Sequence, residues 1–145
     1  MIQRMCGNMA KDADISRNGE RVLIDSSGWI EYFSNGRLCN AFSNYIENAN
    51  PANTVSSPII IYEVYKKLKT IFGEDTAIEA MAHIQSYTHV MEIDQNVALK
   101  AADLSLERKI SMADSFILAT AVLTNSKVVT SDEHFKDMKE AIYIN

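Results

Sequence analysis

Cysteine is scarce in this chain, and its scarcity excludes two classes of small protein. Only Cys6 and Cys39 occur among 145 residues, at a separation that matches no metal-ligand spacing. A disulfide scaffold and a cysteine-based zinc site are set aside, and a reduced, cytoplasmic setting is the simplest expectation. Long apolar runs are missing as well. No stretch is long enough to cross a bilayer as a helix. Residues 1–20 lack the apolar segment of a secretory signal; they read as a mobile leader or as a start placed too far upstream. Positive charge is also short. A formal net charge of −5 counts against holding nucleic acid by electrostatics alone. It leaves room for an enzyme whose carboxylates hold cations that in turn hold phosphate. Glycine-rich phosphate loops, dinucleotide fingerprints and nucleophile elbows are absent too.

What is present is a rhythm of short apolar runs and longer helical stretches, with 47% hydrophobic residues, enough for one buried core. RVLI before Asp25, TVSS (54–57), HVMEI (89–93), KVVT (127–130) and AIYI (141–144) read as strands. Between them, SGWIEYF (27–33) predicts a helix capped by Asp25 or Ser26 and ended by the Asn35-Gly36 turn. Leu38, Phe42, Tyr45 and Ile46 predict a second. Pro58 suits the first turn of a third, with Ile61, Val64, Tyr65, Leu68, Ile71 and Phe72 as its apolar stripe and Gly73 as its cap. Ile78, Met81, Ala82 and Ile84 mark a fourth. A fifth, capped by Asp94, carries Val97, Ala101, Leu104 and Leu106. In MADSFILATAVLTN, Asp114 is the one charge, so that helix is expected to be buried. The pattern implies an α/β fold: a mostly parallel sheet of four to five strands flanked by helices, in one domain from residue 21 to 145.

Open parallel sheets bind ligands beyond the carboxyl ends of their strands. Asp25 ends the first strand, Asp132 follows KVVT, and Asp114 and Glu63 lie near the starts of helices that follow strands or loops at the same edge. Each has a plainer role available. Asp25 and Asp132 are suited to capping, Asp114 stands three residues after Ser111 as in a capping box, and Glu63 precedes Lys67 at ion-pair spacing. Their apolar company favours a shared site, because acids among apolar side chains are costly unless paired or bound to a cation. Hard cations such as Mg²⁺ or Mn²⁺ suit such a carboxylate set. Cys39 reads as core, and His83 and His89 as surface or edge residues. His134, beside Asp132, is better placed to meet a substrate, although a structural role suits it equally. Lys66, Lys67, Lys69, Arg108, Lys109, Lys127 and Lys136 are candidates for steering phosphates, or simply solvated charges.

In order along the chain, Asp25-Ser26-Ser27-Gly28-Trp29-Ile30-Glu31-Tyr32-Phe33 resembles the opening of PIN-domain nucleases, especially the VapC-type toxins. Glu63, within Ile60-Ile61-Tyr62-Glu63-Val64, stands where that family has its helical acid. The segment from Ala113-Asp114 through Ala121 is similar to A-D-x-x-I-A-A-T-A, and Thr130-Ser131-Asp132-Glu133-His134-Phe135 to T-x-D-x-x-F. The resemblance runs from about Arg21 to Ile144. It implies a three-layer PIN-like sandwich and a divalent metal held by Asp25, Asp114 and Asp132, with Glu63 completing the catalytic set. It further implies cleavage of single-stranded RNA, homodimers, and an antitoxin partner that enters the site. Ser26, Ser27, Thr130 and His134 are possible auxiliary groups. Many relatives carry another acid two residues after the last Asp; His134 stands there instead, so a full second metal site is not implied. Two competing readings are a phospho-receiver domain and an inactive PIN-like binding module. The receiver needs an acceptor Asp after a middle strand, which HVMEI with Asp94 would supply, and a Lys after a late strand, which is lacking.

Overall fold

The computed structural model describes residues 19–145; the leader read at residues 1–20 therefore lies, apart from its last two residues, outside the described part. Its centre is a five-stranded sheet, parallel throughout. In chain order the elements are β1 (Arg21–Ile24), α1 (Ser26–Ser34), α2 (Cys39–Ile46), β2 (Thr54–Ser56), α3 (Pro58–Phe72), α4 (Glu74–Tyr87), β3 (His89–Val90), α5 (Gln95–Arg108), α6 (Met112–Leu123), β4 (Ser126–Thr130) and β5 (Ala141–Tyr143), with a single 3₁₀ turn at Glu133–Phe135. The strand order is β3-β2-β1-β4-β5. From β1 the chain steps to β2 and β3 in one direction, then returns past β1 to β4 and β5. Since parallel crossovers are right-handed, this reversal assigns α1–α4 to one face and α5–α6 to the other. The switch point lies between β1 and β4. There the crossovers diverge and leave a crevice.

The helix boundaries follow local chemistry. Asp25 accepts from the Ser26 amide and starts α1; Asn35, left-handed at φ 54°, ends it. Ser57 caps α3 with Pro58 in its first turn, and Gly73, at φ 95°, closes α3 and opens α4. Asp94 accepts from the Val97 amide at 3.0 Å and Ser111 from the Asp114 amide at 3.2 Å. The core gathers Leu23 and Ile24 of β1, Val55 of β2 and Val128 and Val129 of β4 with Trp29, Phe42, Val64, Leu68, Ile84, Ile117 and Leu118 from the helices. Cys39 is buried at the start of α2, as expected.

Three sequence expectations need correction. The stripe of α3 is rotated: Ile60, Val64 and Leu68 are its buried residues, whereas Ile71 and Phe72 stand about half exposed in its last turn. Leu106 is 82% exposed, because α5 is anchored by Val97, Ala101 and Leu104 alone. HVMEI yields only the two-residue β3, at the sheet edge, and Asp94 behind it is spent on capping α5. The receiver reading loses its middle strand and its acceptor.

Gly28 lets α1 lie against the sheet end and α2. A Cβ there would sit 2.6 Å from Phe42 Cδ1 and 2.9 Å from Ile24 Cγ2. Alanine improves helix propensity by about 1 kcal/mol, but overpacking a filled core costs about 1–3 kcal/mol. Gly28→Ala is therefore expected to lower the chemical-denaturation midpoint with little change in slope; an unchanged or higher midpoint would refute the close packing.

Candidate metal and catalytic site

Asp25 sits directly at the switch point. The β1–β4 register pairs Ile24 with Val129, so the next residues, Asp25 and Thr130, face each other across the strand ends. Thr130 Oγ1 donates to Asp25 Oδ2 at 2.7 Å and accepts from the Asp132 amide at 2.9 Å. Ser27 Oγ is 3.4 Å from the same Asp25 oxygen and accepts from the Ser131 amide at 3.1 Å. The other oxygen, Oδ1, accepts from the Ser26 amide at 2.8 Å. Capping and site roles thus coexist in one carboxylate. Two hydroxyls foreseen as auxiliary groups tie α1, β1 and the loop after β4 into one network.

Asp132 caps the 3₁₀ turn, accepting from the His134 amide at 3.0 Å. The turn swings the imidazole back, so that His134 Nδ1 lies 3.0 Å from Asp114 Oδ2 and 3.3 Å from Asp132 Oδ1. Only the backbone of Asp114 serves the capping of α6; its side chain faces His134. One ligand atom from each of Asp114, Asp132 and His134 lies within 4.8 Å of the others, a spacing on the scale of a shared cation. Asp25 is not one of these three. It belongs to the same electrostatic neighbourhood, because Asp132 and Asp114 both bear on its titration.

Glu63 approaches from α3. No Glu63–Lys67 ion pair occurs among the described residues, so the default for that spacing does not hold. Burial pushes the Glu63 carboxyl above its ordinary range; Asp25, and then Asp114 and Asp132, push it further, partly offset by the Ser26 side chain. Asp25 is likewise raised, mainly by burial and then by Asp132 and Asp114, against the lowering hydrogen bonds from Thr130 and Ser26. His134 is raised by the negative charge of Asp132 first, then by its bond to Asp114. Asp114 and Asp132 therefore bear on both Asp25 and Glu63, and Asp25 on Glu63, across long separations in sequence.

These residues fit a hard divalent cation. The carboxylate oxygens of Asp25, Asp114 and Asp132 are donors suited to Mg²⁺ or Mn²⁺, and the imidazole of His134 lies beside them. Oε1 of Glu63 is buried without a hydrogen-bond partner, a condition that native structures rarely leave unanswered. The steering candidates fare unevenly. Arg108 makes a two-pronged pair with Glu140, at 2.8 and 2.6 Å, and Lys127 donates to the Lys139 carbonyl, so both have structural work. Lys66 and Lys67 instead line a groove beside Glu63, together with Ser26, Ile30, Tyr62 and Thr70. Sequence reasoning did not single out Ile30, Tyr62 or Thr70 for this. The signal was the helical spacing of 26 with 30, and of 63 with 67 and 70.

Raised carboxylates carry a definite sign. Between the ordinary values of 3.8 for Asp and 4.5 for Glu and the higher folded values, the folded state binds more protons, so stability falls as pH rises through that window. The melting temperature of the metal-free protein is expected to fall as pH rises above the ordinary carboxylate values, and Asp25→Asn to reduce this slope. Identical slopes for the two proteins would contradict the burial of a strained carboxylate.

The PIN domain model matches residues 22–141, nearly all of the described chain. No curated protein sequence matches. Among solved structures, the fold is similar to a toxin–antitoxin complex from Klebsiella pneumoniae (25% identity, covering 83% of this chain and 95% of that one, TM-score 0.68). It is also similar to VapC20 of Mycobacterium tuberculosis, described as a sarcin–ricin loop cleaving toxin (18% identity, 81% and 95%, TM-score 0.66). A third likeness is to DNA-bound VapBC from Salmonella typhimurium (17% identity, 86% and 97%, TM-score 0.65). With the all-parallel sheet and the acids gathered at its switch point, the family match has one reading: the chain belongs to the PIN-domain family.

Proposed function

We propose that residues 21–145 act as one domain, a divalent-metal-dependent endoribonuclease that hydrolyses phosphodiester bonds of single-stranded RNA. In this reading it is the toxin of a toxin–antitoxin pair, cytoplasmic and homodimeric, with a cognate antitoxin as partner. The observation that carries the activity is the convergence of Asp25, Glu63, Asp114 and Asp132 on one crevice, close enough for their charges to act on each other. The toxin role is supported by similarity to a toxin–antitoxin complex and to VapC20.

Asp25, Asp114 and Asp132 would hold Mg²⁺ or Mn²⁺, with His134 as a further donor at the rim. When bound, the ion supplies a water of lowered pKa and positive charge against the scissile phosphate. Glu63, held above the ordinary carboxylate range, is suited to orient the attacking water and accept its proton. Thr130 and Ser27 fix the Asp25 oxygen that faces the crevice. Thr130 also fixes the Asp132 backbone, so loss of its hydroxyl is expected to disturb two acids at once.

The decisive measurement is cleavage of a single-stranded RNA in Mg²⁺ or Mn²⁺. Chelator is expected to abolish it, and Asp25→Asn, Asp114→Asn and Glu63→Gln each to slow it by about a hundredfold or more. Activity that persists in chelator, or variants that cleave at the parental rate, would reject the mechanism; an inactive binding module would cleave nothing. Independently of turnover, Mg²⁺ or Mn²⁺ at a hundredfold excess over its dissociation constant is expected to add about 2.7 kcal/mol of stability. Asp114→Asn should lose most of that thermal shift.

A further inference from the structure

The groove between α1 and α3 begins at Glu63 of the acid site and extends past it. Its volume is about 460 Å³, and its lining comprises Ser26, Ile30, Tyr62, Glu63, Lys67 and Thr70, with Lys66 alongside. Helical geometry explains the composition. Ser26 and Ile30 lie one turn apart on α1, as do Glu63 and Lys67 on α3, and Thr70 lies one turn further. The groove therefore runs along both helices from a site acid at one end to a lysine and a threonine further on.

Three features give it a chemical preference. Tyr62 is 61% exposed and presents an aromatic face at the groove, whereas Trp29, Tyr32 and Phe42 are buried completely or nearly so. Lys66 Nζ lies 5.5 Å from the centre of the Tyr62 ring and 3.4 Å from its hydroxyl, so the ring and a cation form one unit. Lys67 is exposed and lies four residues from Glu63 without pairing with it, so its charge faces the groove region uncompensated by that acid. A flat aromatic face with two neighbouring ammonium groups, continuous with a phosphodiester-cleaving site, matches a base and its backbone phosphate. An apolar protein segment would gain little from the lysines. In a chain of net charge −5, positive charge at this groove is complementary to a polyanionic strand.

We infer that the α1–α3 groove is a nucleotide subsite: Tyr62 stacks on the base adjacent to the scissile phosphate, and Lys66 and Lys67 receive the flanking backbone phosphate. This rests on the nuclease reading and adds to it the direction in which the RNA leaves the acid site. Tyr62 and the lysines are positioning residues, since they touch substrate away from the bond that breaks. Bound there, a strand is held at a fixed offset from Glu63. Preference for the base at one step from the cut would then be set by the Tyr62 pocket.

The experiment has a binding arm and a turnover arm, both on the full chain. In the first, a labelled single-stranded RNA is titrated into the protein in chelator, where no cut occurs. Tyr62→Ala is expected to weaken binding about tenfold, Tyr62→Phe to restore most of it, and Lys67→Ala to lessen the dependence of affinity on salt. In the second, with Mn²⁺, Tyr62→Ala is expected to raise KM more than it lowers kcat. Both positions are exposed, and matched melting curves would show that the variants fold. Unchanged affinity, salt slope and KM in well-folded variants would overturn the subsite and leave the groove to a protein partner, while the nuclease reading would stand on cleavage alone. Tyr62-dependent binding without any cleavage by the parent chain would keep the subsite and reject the nuclease. Absence of measurable RNA binding by the parent chain would overturn the subsite outright.

Discussion

The arrangement depends on a carboxylate held at the carboxyl end of the central strand, where water is nearly excluded. Asp25 is 3% exposed, and its ionised form is sustained by an amide from its own helix and a hydroxyl from the neighbouring strand. Those bonds do not cancel the burial, because its titration stays displaced upward. A site under such strain is stable only when the surrounding elements fix it. The β1–β4 ladder, the cap of α1 and the turn after β4 do so together, and each of them serves the fold in its own right.

This overlap explains how much of the site was legible beforehand. Asp25, Asp114 and Asp132 each sit at an element boundary, where capping and catalysis call for the same residue types, so neither role could be read from one position alone. The structure resolves the ambiguity without choosing. Asp25 caps with one oxygen and faces Thr130 with the other, while Asp114 lends its amide to Ser111 and its carboxylate to His134. The strand order was less accessible. Periodicity identifies strands but carries nothing about which lie side by side, and the reversal between β1 and β4 is what makes the crevice.

The misread positions lie at helix ends or off the buried face. Ile71 and Phe72 stand in the last turn of α3, beyond the buried Leu68, whereas Leu106 lies two residues from the buried Leu104 and so on the opposite side of α5. Hydrophobic spacing reports which face would be buried if a neighbour were present. It does not report where the neighbour ends. Glu63 shows the converse: its spacing to Lys67 suggested a surface pair, but the helix turns the carboxylate toward the other acids and leaves the lysine in the groove.

The sheet's two borders differ from its centre in a way that bears on assembly. β3 has two residues and β5 has three, so neither rim offers a row of open amides and carbonyls long enough to recruit another strand. Growth of the sheet from copy to copy is thereby blocked at both sides. Any association between copies is left to helical surfaces, and there Leu99, Leu106 and Met112 stand well exposed on α5 and α6.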